Sequence, residues 1–245
     1  MIRRRLDAEL VRRGLVASRR EAAAAVEAGR VTVGGAPADK VTRLVAPNEP
    51  VRVLGGPARY VSRGGEKLSA ALDAFGIDPT ARRVLDVGAS TGGFTDCLLQ
   101  RGAFAVTALD VGYGQLHERI RRDERVTVIE RSNFRTIDVA TLGPPFDLMV
   151  VDVSFISLRS IAVNLLAALD SHGDLVALVK PQFEAGRSEV AKGRGIISDP
   201  VIHERVCADV GGAWAELGAT VHGQIESPLL GGSGNREYLM HVRHT

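Results

Sequence analysis

Beyond residue 82 the chain alternates short apolar runs with amphipathic segments, which restricts it to a layered α/β arrangement. Seven runs have strand character: Arg83–Val87, Ala105–Asp110, Val126–Glu130, Leu148–Asp152, Leu175–Lys180, Val221–Glu226 and Glu237–Val242. Helical segments fall between them, among them Phe94–Arg101, Leu158–Leu169 and Val201–Leu217. A repeated strand–helix order needs crossovers, so the predicted sheet is mostly parallel and doubly wound. No internal repeat or low-complexity segment interrupts it.

Residues 1–54 read as a separate, small α+β domain, 55–61 as a linker, and 62–245 as the α/β domain. Leu6, Leu10 and Val11 share one helical face, with Arg12 and Arg13 turned elsewhere, and Gly14 ends that helix. Ser18 opens a second helix to Ala28, and Glu21 three residues on completes a capping box. Short β segments follow at Val31–Val33 and Val51–Val53, with a turn at Gly34-Gly35. Through Lys67 there are 14 Lys and Arg against 7 Asp and Glu, whereas the remainder has 17 against 22. A basic front on an acidic back suits a part that grips a polyanion, with Arg3, Arg4, Arg5, Arg12, Arg19, Arg20 and Arg30 as its candidate contacts. The competing reading is a structural domain with a solvated arginine-rich exterior.

Cys97 and Cys207 have no thiol or histidine at ligand spacing, so neither zinc nor a disulfide framework is expected, and no metal. Cys97 lies in an apolar helix and reads as a packed thiol rather than a nucleophile. The N-terminus lacks the apolar core of a secretory signal, and no apolar stretch has membrane-spanning length, so a cytoplasmic protein is expected.

Val84-Leu85-Asp86-Val87-Gly88 reads as a strand running into a tight turn, and Phe94 to Leu99 as the helix that leaves it. Glycines at 88, 92 and 93 let backbone approach a ligand at the carboxyl edge of a Rossmann-like sheet. Ser90 stands where the dinucleotide pattern G-x-G-x-x-G needs its second glycine, which counts against a pyrophosphate cofactor. S-adenosylmethionine suits the loop instead. Its ammonium group would be drawn to Asp86, and Asp110, 24 residues on at the next strand end, can accept the ribose hydroxyls. The candidate cradle comprises Asp86, Gly88, Ala89, Ser90, Thr91, Gly92, Phe94 and Thr95, with Asp110, Val111, Asn133 and Phe134 around the adenosine. Ordinary packing accounts equally well for Val111 and Phe134.

Asp152 and Lys180 each finish an apolar strand. An unpaired charge in a core is costly, so both point to the cleft at the sheet's carboxyl edge, near the cofactor. A structural Asp–Lys ion pair is the alternative. Lys67 and Glu237, taken singly, read as surface charges.

Two resemblances then become specific. Arg5-Leu6-Asp7, Leu10 to Leu15, Ser18-Arg19 and Gly29 to Gly35 resemble the small RNA-binding domain of the ribosomal-protein-S-four type, over about 50 residues. Lys67, Asp152, Lys180 and Glu237 resemble, in order and context, the K-D-K-E tetrad of ribose 2′-O-methyltransferases. Together with Arg63 to Leu68, the Gly88 loop, Val151 to Leu158, Lys180 to Glu184, Lys192 to Gly195 and Ser227 to Gly231, the whole chain is similar to the TlyA family. That family joins this RNA-binding domain to an FtsJ-like methyltransferase. The resemblance implies S-adenosylmethionine-dependent 2′-O-methylation of cytidine in small- and large-subunit ribosomal RNA, with ribosomal RNA or ribosomal subunits as partner; a monomeric chain is expected. It adds Arg63 and the basic loop of Lys192 and Arg194 to the RNA contacts. Ala58-Arg59-Tyr60-Val61 departs from the family, which carries a tryptophan in this linker.

The chemistry implied is demanding, because a ribose hydroxyl is a weak acid and a poor nucleophile. Lys180, its pKa lowered by burial and by Lys67, would take the proton. Asp152 would orient Lys180, and Glu237 would position Lys67 or the ribose. Three other readings compete: an inactive RNA-binding or ribosome-assembly protein, a membrane-lytic haemolysin, and a base methyltransferase. Lysis needs a membrane-inserting segment that the sequence does not display. Base methylation needs an N-P-P-[YF] motif where this chain has Asp152-Val153-Ser154-Phe155.

Overall fold

A computed structural model of the chain describes residues 3–16, 18–27, 29–55, 59–231 and 234–245. Ala28, predicted to close the second helix, and residues 56–58 of the predicted linker lie outside the described residues. The chain forms two compact units, Met1–Arg59 and Tyr60–Thr245.

In the first unit β1 (Arg4–Arg5) leads into α1 (Leu6–Arg12) and α2 (Arg19–Glu27), followed by β2 (Val31–Val33), β3 (Ala36–Pro37), β4 (Leu44–Val45) and β5 (Val51–Val53). Leu6 and Leu10, one turn apart, are fully buried, and Val11 packs beside them, as their spacing requires. Gly14 adopts φ +67°, which lets the Leu15 N–H reach back to the Leu10 carbonyl at 3.0 Å and close the helix. At α2 the Ser18 Oγ accepts the Glu21 N–H at 3.1 Å, the N-cap half of the predicted box. The predicted ribbon is larger than its sequence suggests: β2 pairs antiparallel with both β3 and β5, and β1 pairs with β4.

The second unit runs α3 (Gly64–Phe75), β6 (Arg83–Val87), α4 (Gly93–Gln100), β7 (Ala105–Leu109), α5 (Glu118–Arg121), β8 (Val126–Ile129), β9 (Phe146–Val151) and α6 (Ala162–Ala168). It continues with β10 (Leu169–Val179), α7 (Pro181–Glu184), α8 (Arg187–Lys192), α9 (Pro200–Glu216), β11 (Ala219–Glu226) and β12 (Tyr238–His244). The seven strands form one sheet in the order β11-β12-β10-β9-β6-β7-β8. From β10 to β8 all neighbours are parallel, while β12 runs antiparallel between β10 and β11. This is the mostly parallel, seven-stranded α/β sheet that the alternation predicts.

Both faces of the sheet are buried, which is why its central strands read as continuous apolar runs. Alternate residues divide between two cores. Val84, Val106, Leu148, Val150, Val176 and Leu239 pack with α3 and α4, whereas Leu85, Leu109, Met149, Ala177 and Met240 pack with α6 and Trp214 of α9. Two local expectations fail. The predicted helix 158–169 is a 3-10 turn at Leu158–Ser160 followed by α6, and residue 169 already belongs to β10. Lys192, predicted in a loop, is the last residue of α8.

The strand ends matter for the site. Asp110, Asp152 and Lys180 each sit one residue beyond a parallel strand, at the same carboxyl edge. Glu237 precedes β12, and because β12 is antiparallel its start lies at that edge too, with Tyr238 in register with Val179.

Candidate active site

The turn after β6 is built to leave backbone bare. At Gly88 (φ +86°) a Cβ would stand 2.3 Å from the Asp152 carbonyl oxygen. At Gly93 it would stand 2.1 Å from Ser62 Oγ. A larger residue at 88 would have to move the backbone at Asp152, and one at 93 would displace the Ser62 hydroxyl. Ser90, the departure from the dinucleotide pattern, also takes a left-handed φ of +47° and donates its N–H to Asp110 at 2.8 Å. The other Asp110 oxygen accepts the Gly112 N–H at 2.6 Å, so the acid is oriented by backbone before any ligand arrives.

Two adjoining hollows flank this turn. One is lined by Ser62, Arg63, Gly64, Lys67, Gly88–Thr91, Gly93, Phe94 and Asp152. The other is lined by Gly88, Ser90, Asp110, Val111, Gln115, Ser132, Asn133, Phe134 and residues 152–156. They meet at Gly88, Ser90 and Asp152. Gln115 and Ser132 carry no signal in their local sequence, whereas Val153 and Ile156 belong to the segment Val151 to Leu158 that carries the family resemblance. Val111 is 71% exposed at the rim, whereas Phe134 is 4% exposed and belongs to the core as well as to the hollow.

Asp86 lies fully buried below the turn. Its Oδ2 accepts the Thr95 hydroxyl at 2.6 Å, and its Oδ1 has no hydrogen-bond partner. Burial, with the nearby charges of Asp152 and Asp110, pushes its pKa up to about 7, against the lowering effect of Thr95. An orphaned buried carboxylate oxygen beside a bare glycine turn fits S-adenosylmethionine, whose ammonium group would supply the missing donor.

The four predicted tetrad residues come together as two ion pairs. Lys67, on the first turns of α3, donates to Glu237 Oε2 at 2.5 Å. Lys180 pairs with Asp152 and also donates to Ser154 Oγ at 3.0 Å. Both lysines and Glu237 are buried, with Asp152 half-buried in the shared wall of the hollows. Each lysine thus has a carboxylate of its own, which keeps either charge from being stranded. Gly231 makes room for this: a Cβ there would lie 2.3 Å from Glu237 Oε1. Asn235, 1% exposed, accepts the Ile197 N–H at 2.8 Å and donates to the Gly195 carbonyl at 2.9 Å, tying the loop after α8 to the segment that carries Glu237.

Several of the predicted RNA contacts are committed to carboxylates. Arg12 donates to Glu9 at 2.8 and 2.6 Å, and Arg5 donates to Asp7 at 3.2 and 3.0 Å. Arg19 reaches the same Asp7 at 3.3 Å. Asp7 and Glu9 are buried, and their carboxyls are held down to about 2 by Arg5 and Arg12 above all. Arg3, Arg4 and Arg20 are exposed and Arg30 is half-buried. In the second unit Arg63 is exposed at the start of α3 and lines the first hollow, and Lys192, at the end of α8, and Arg194, beyond it, are exposed. Among the described residues no cluster of His, Cys, Asp or Glu could hold a metal, and no helix is long and apolar enough to cross a membrane.

Comparison with known proteins identifies the family. The FtsJ-like methyltransferase family matches residues 60–244, and the S4 domain matches residues 4–51. The 16S/23S rRNA (cytidine-2'-O)-methyltransferase TlyA of Mycobacterium tuberculosis is 47% identical over 98% of this chain and 90% of its own length. Hemolysin A of Brachyspira hyodysenteriae is 40% identical, over 97% of this chain and 98% of its own. A solved structure from Streptococcus thermophilus, designated a hemolysin, is 40% identical with a TM-score of 0.79, covering 100% of this chain and 90% of that one. The chain therefore belongs to the TlyA family of S-adenosylmethionine-dependent methyltransferases, an S4 domain joined to an FtsJ-like catalytic domain.

Proposed function

We propose that this protein methylates the ribose 2′-hydroxyl of cytidine in 16S and 23S ribosomal RNA, acting as a cytoplasmic monomer on RNA within ribosomal subunits. The observation that carries this reading is the meeting of two buried lysine–carboxylate pairs, from four separate segments, beside the cofactor cradle. Its family relative of that named activity supports the same substrate.

S-adenosylmethionine supplies an electrophilic methyl group. Asp86 would hold its ammonium group and Asp110 its ribose hydroxyls, with Gly88, Ala89, Ser90, Thr91, Gly92, Phe94, Thr95, Val111, Asn133 and Phe134 as the residues that would form the cradle. Lys180 Nζ, neutral once its ammonium has given a proton to water, takes the proton of the ribose hydroxyl as that oxygen becomes nucleophilic, and later returns it to water. Asp152 holds Lys180 in place. Lys67, held by Glu237, offers a positive charge to the developing oxyanion. Residues 1–54 hold the RNA through phosphate contacts of their arginines, 55–61 act as the linker, and 62–245 perform the transfer, with Arg63, Lys192 and Arg194 gripping the strand near the cleft.

Single-turnover methyl transfer to ribosomal subunits tests the assignment. Lys180→Ala should slow transfer by about a hundredfold to ten-thousandfold while S-adenosylmethionine still binds. Undiminished transfer would sink the role of Lys180, and loss of saturable cofactor binding by the wild-type chain would favour an inactive RNA-binding protein.

A further inference from the structure

Lys180 is held at more points than a simple ion pair provides. Besides Asp152, its Nζ meets the hydroxyl of Ser154 at 3.0 Å. Lys180 is 9% exposed, whereas Ser154 is exposed and lines the second hollow, so the serine stands between the buried amine and the open cleft. The loop carrying Ser154 is fastened again four residues beyond Lys180. Glu184, 7% exposed, accepts from Ser157 Oγ and from the Leu158 N–H, both at 2.6 Å. Between these ends, the rings of Phe155 and Phe183 lie 5.2 Å apart. Phe155 itself takes φ +68°, a conformation that a bulky residue keeps only when its surroundings over-determine it. Residues 180–184 thus grip residues 152–158 at both ends.

We propose that Ser154 is a positioning residue for methyl transfer, aiming the amine of Lys180, and that Glu184 sets the loop from which Ser154 does so. The inference rests on Lys180 being the proton acceptor. A neutral lysine amine has two N–H bonds and one lone pair around Nζ. If one N–H is donated to Asp152 and the other to Ser154 Oγ, the remaining tetrahedral position is the lone pair. It then has a fixed direction, and the ribose proton passes along it: the ribose O–H bond breaks as the third N–H bond forms, and the ammonium so produced loses a proton to water afterwards. With the Ser154 oxygen removed, Nζ turns about its last carbon bond and the lone pair points elsewhere for much of the time. Because the Ser154 oxygen is engaged by Lys180, its loss is expected to fall on the chemical step rather than on cofactor or RNA binding.

Single-turnover kinetics with ribosomal subunits, equilibrium binding of S-adenosylmethionine and thermal unfolding of the full-length chain test this together. Ser154→Ala is expected to lower the transfer rate by about tenfold to a hundredfold, as misplacement of a reacting group does, with RNA KM, cofactor Kd and Tm essentially unchanged. Ser154→Thr keeps the acceptor oxygen and is expected to recover most of the rate. Glu184→Gln, which cannot accept from Ser157 and Leu158 together, should reproduce the loss confined to the rate. The inference is overturned if Ser154→Ala transfers at the wild-type rate, if threonine rescues no better than alanine, or if the loss follows cofactor affinity or Tm. Lys180→Ala run alongside separates the two levels. A fully active Lys180→Ala removes the proton-acceptor reading and this inference with it, whereas an inactive one beside a normal Ser154→Ala removes this inference alone.

Discussion

In residues 1–59 the buried carboxylates Asp7 and Glu9 are held by arginines, as Asp174 is by Arg82 and Arg243 in the second unit, whereas at the second unit's cleft Asp152 and Glu237 meet lysines and Asp86 has no cation beside it. The acids respond in opposite directions: Asp7 and Glu9 are lowered to about 2, and Asp86 is raised to about 7. The partner explains the difference. A guanidinium does not release its proton in a protein, so an arginine pair fixes both charges permanently and suits a surface that must stay cationic toward phosphate. A lysine can exchange its proton, and an acid with no cation of its own is left to receive one from a ligand. The arginine pairs suit a fixed charge pattern, and the lysine pairs at the cleft suit proton movement.

The sharpest way to break that distinction is to put the first unit's chemistry into the second. Lys180→Arg keeps the positive charge beside Asp152 but cannot accept the ribose proton. It should transfer methyl as poorly as Lys180→Ala, about a hundredfold or more below wild type in a single-turnover assay. Substantial activity would mean that charge alone, not proton exchange, is what Lys180 supplies.

The next largest effect belongs to the arginine network. Glu9 is 1% exposed and accepts from Arg12 and Arg13, and Arg13 also donates to the carbonyls of Ala46, Pro47 and Glu49. Glu9→Gln removes the charge and should destabilise the first unit by about 2–4 kcal/mol, seen as faster amide exchange in α1 and β4 with little change across the second unit. Folded pKa values of about 2 lie below the ordinary 3.8 and 4.5 of Asp7 and Glu9. Their contribution is therefore present above about pH 5 and is lost as pH falls toward 2. Unchanged exchange in Glu9→Gln would show that the arginines only decorate the surface.

Asp86 gives a milder, pH-dependent effect. Its carboxyl is protonated below about 7 and charged above. Only the charged form attracts an ammonium, so S-adenosylmethionine should bind more tightly as pH rises from 6 to 8, by about tenfold, and level off beyond. In Asp86→Asn the affinity should be weaker and this slope should vanish. A slope that persists in the variant would assign the titration to another group. The smallest effect is expected from an uncommitted arginine. Arg20→Ala should weaken RNA binding a few-fold and reduce the slope of log affinity against log salt by about 1, with the transfer rate on saturating RNA unchanged.

How much of this could be read in the sequence depended on which contacts are local. Asp86, Asp110, Asp152 and Lys180 were visible because parallel strands finish at one edge, so a charge closing an apolar run has a common destination. Glu237 was invisible on that argument, since it starts a strand. Only the antiparallel course of β12 brings it to the same edge, and that course has no signature in residues 237–244. Lys67 likewise gained meaning only from the family resemblance. Ser154 and Glu184 act across 26 and 27 residues of sequence, where spacing carries no information. The early start of β10 was hidden by Asp170-Ser171-His172-Gly173, a turn-like stretch where the pairing with β9 shifts register between Leu169 and Asp174. In the first unit Glu9 and Arg12 are one helical turn apart, a pairing the sequence does offer, yet counting arginines as a basic face passed over it.

The central claim is that the acceptor is a ribose hydroxyl of ribosomal RNA. The most direct measurement is to incubate unmodified ribosomal subunits with this protein and S-adenosylmethionine labelled on its methyl group, digest the RNA to nucleosides and locate the label. The account predicts label on the ribose of cytidine as 2′-O-methylcytidine. Label on a base, or none in RNA that the protein demonstrably binds, would contradict it.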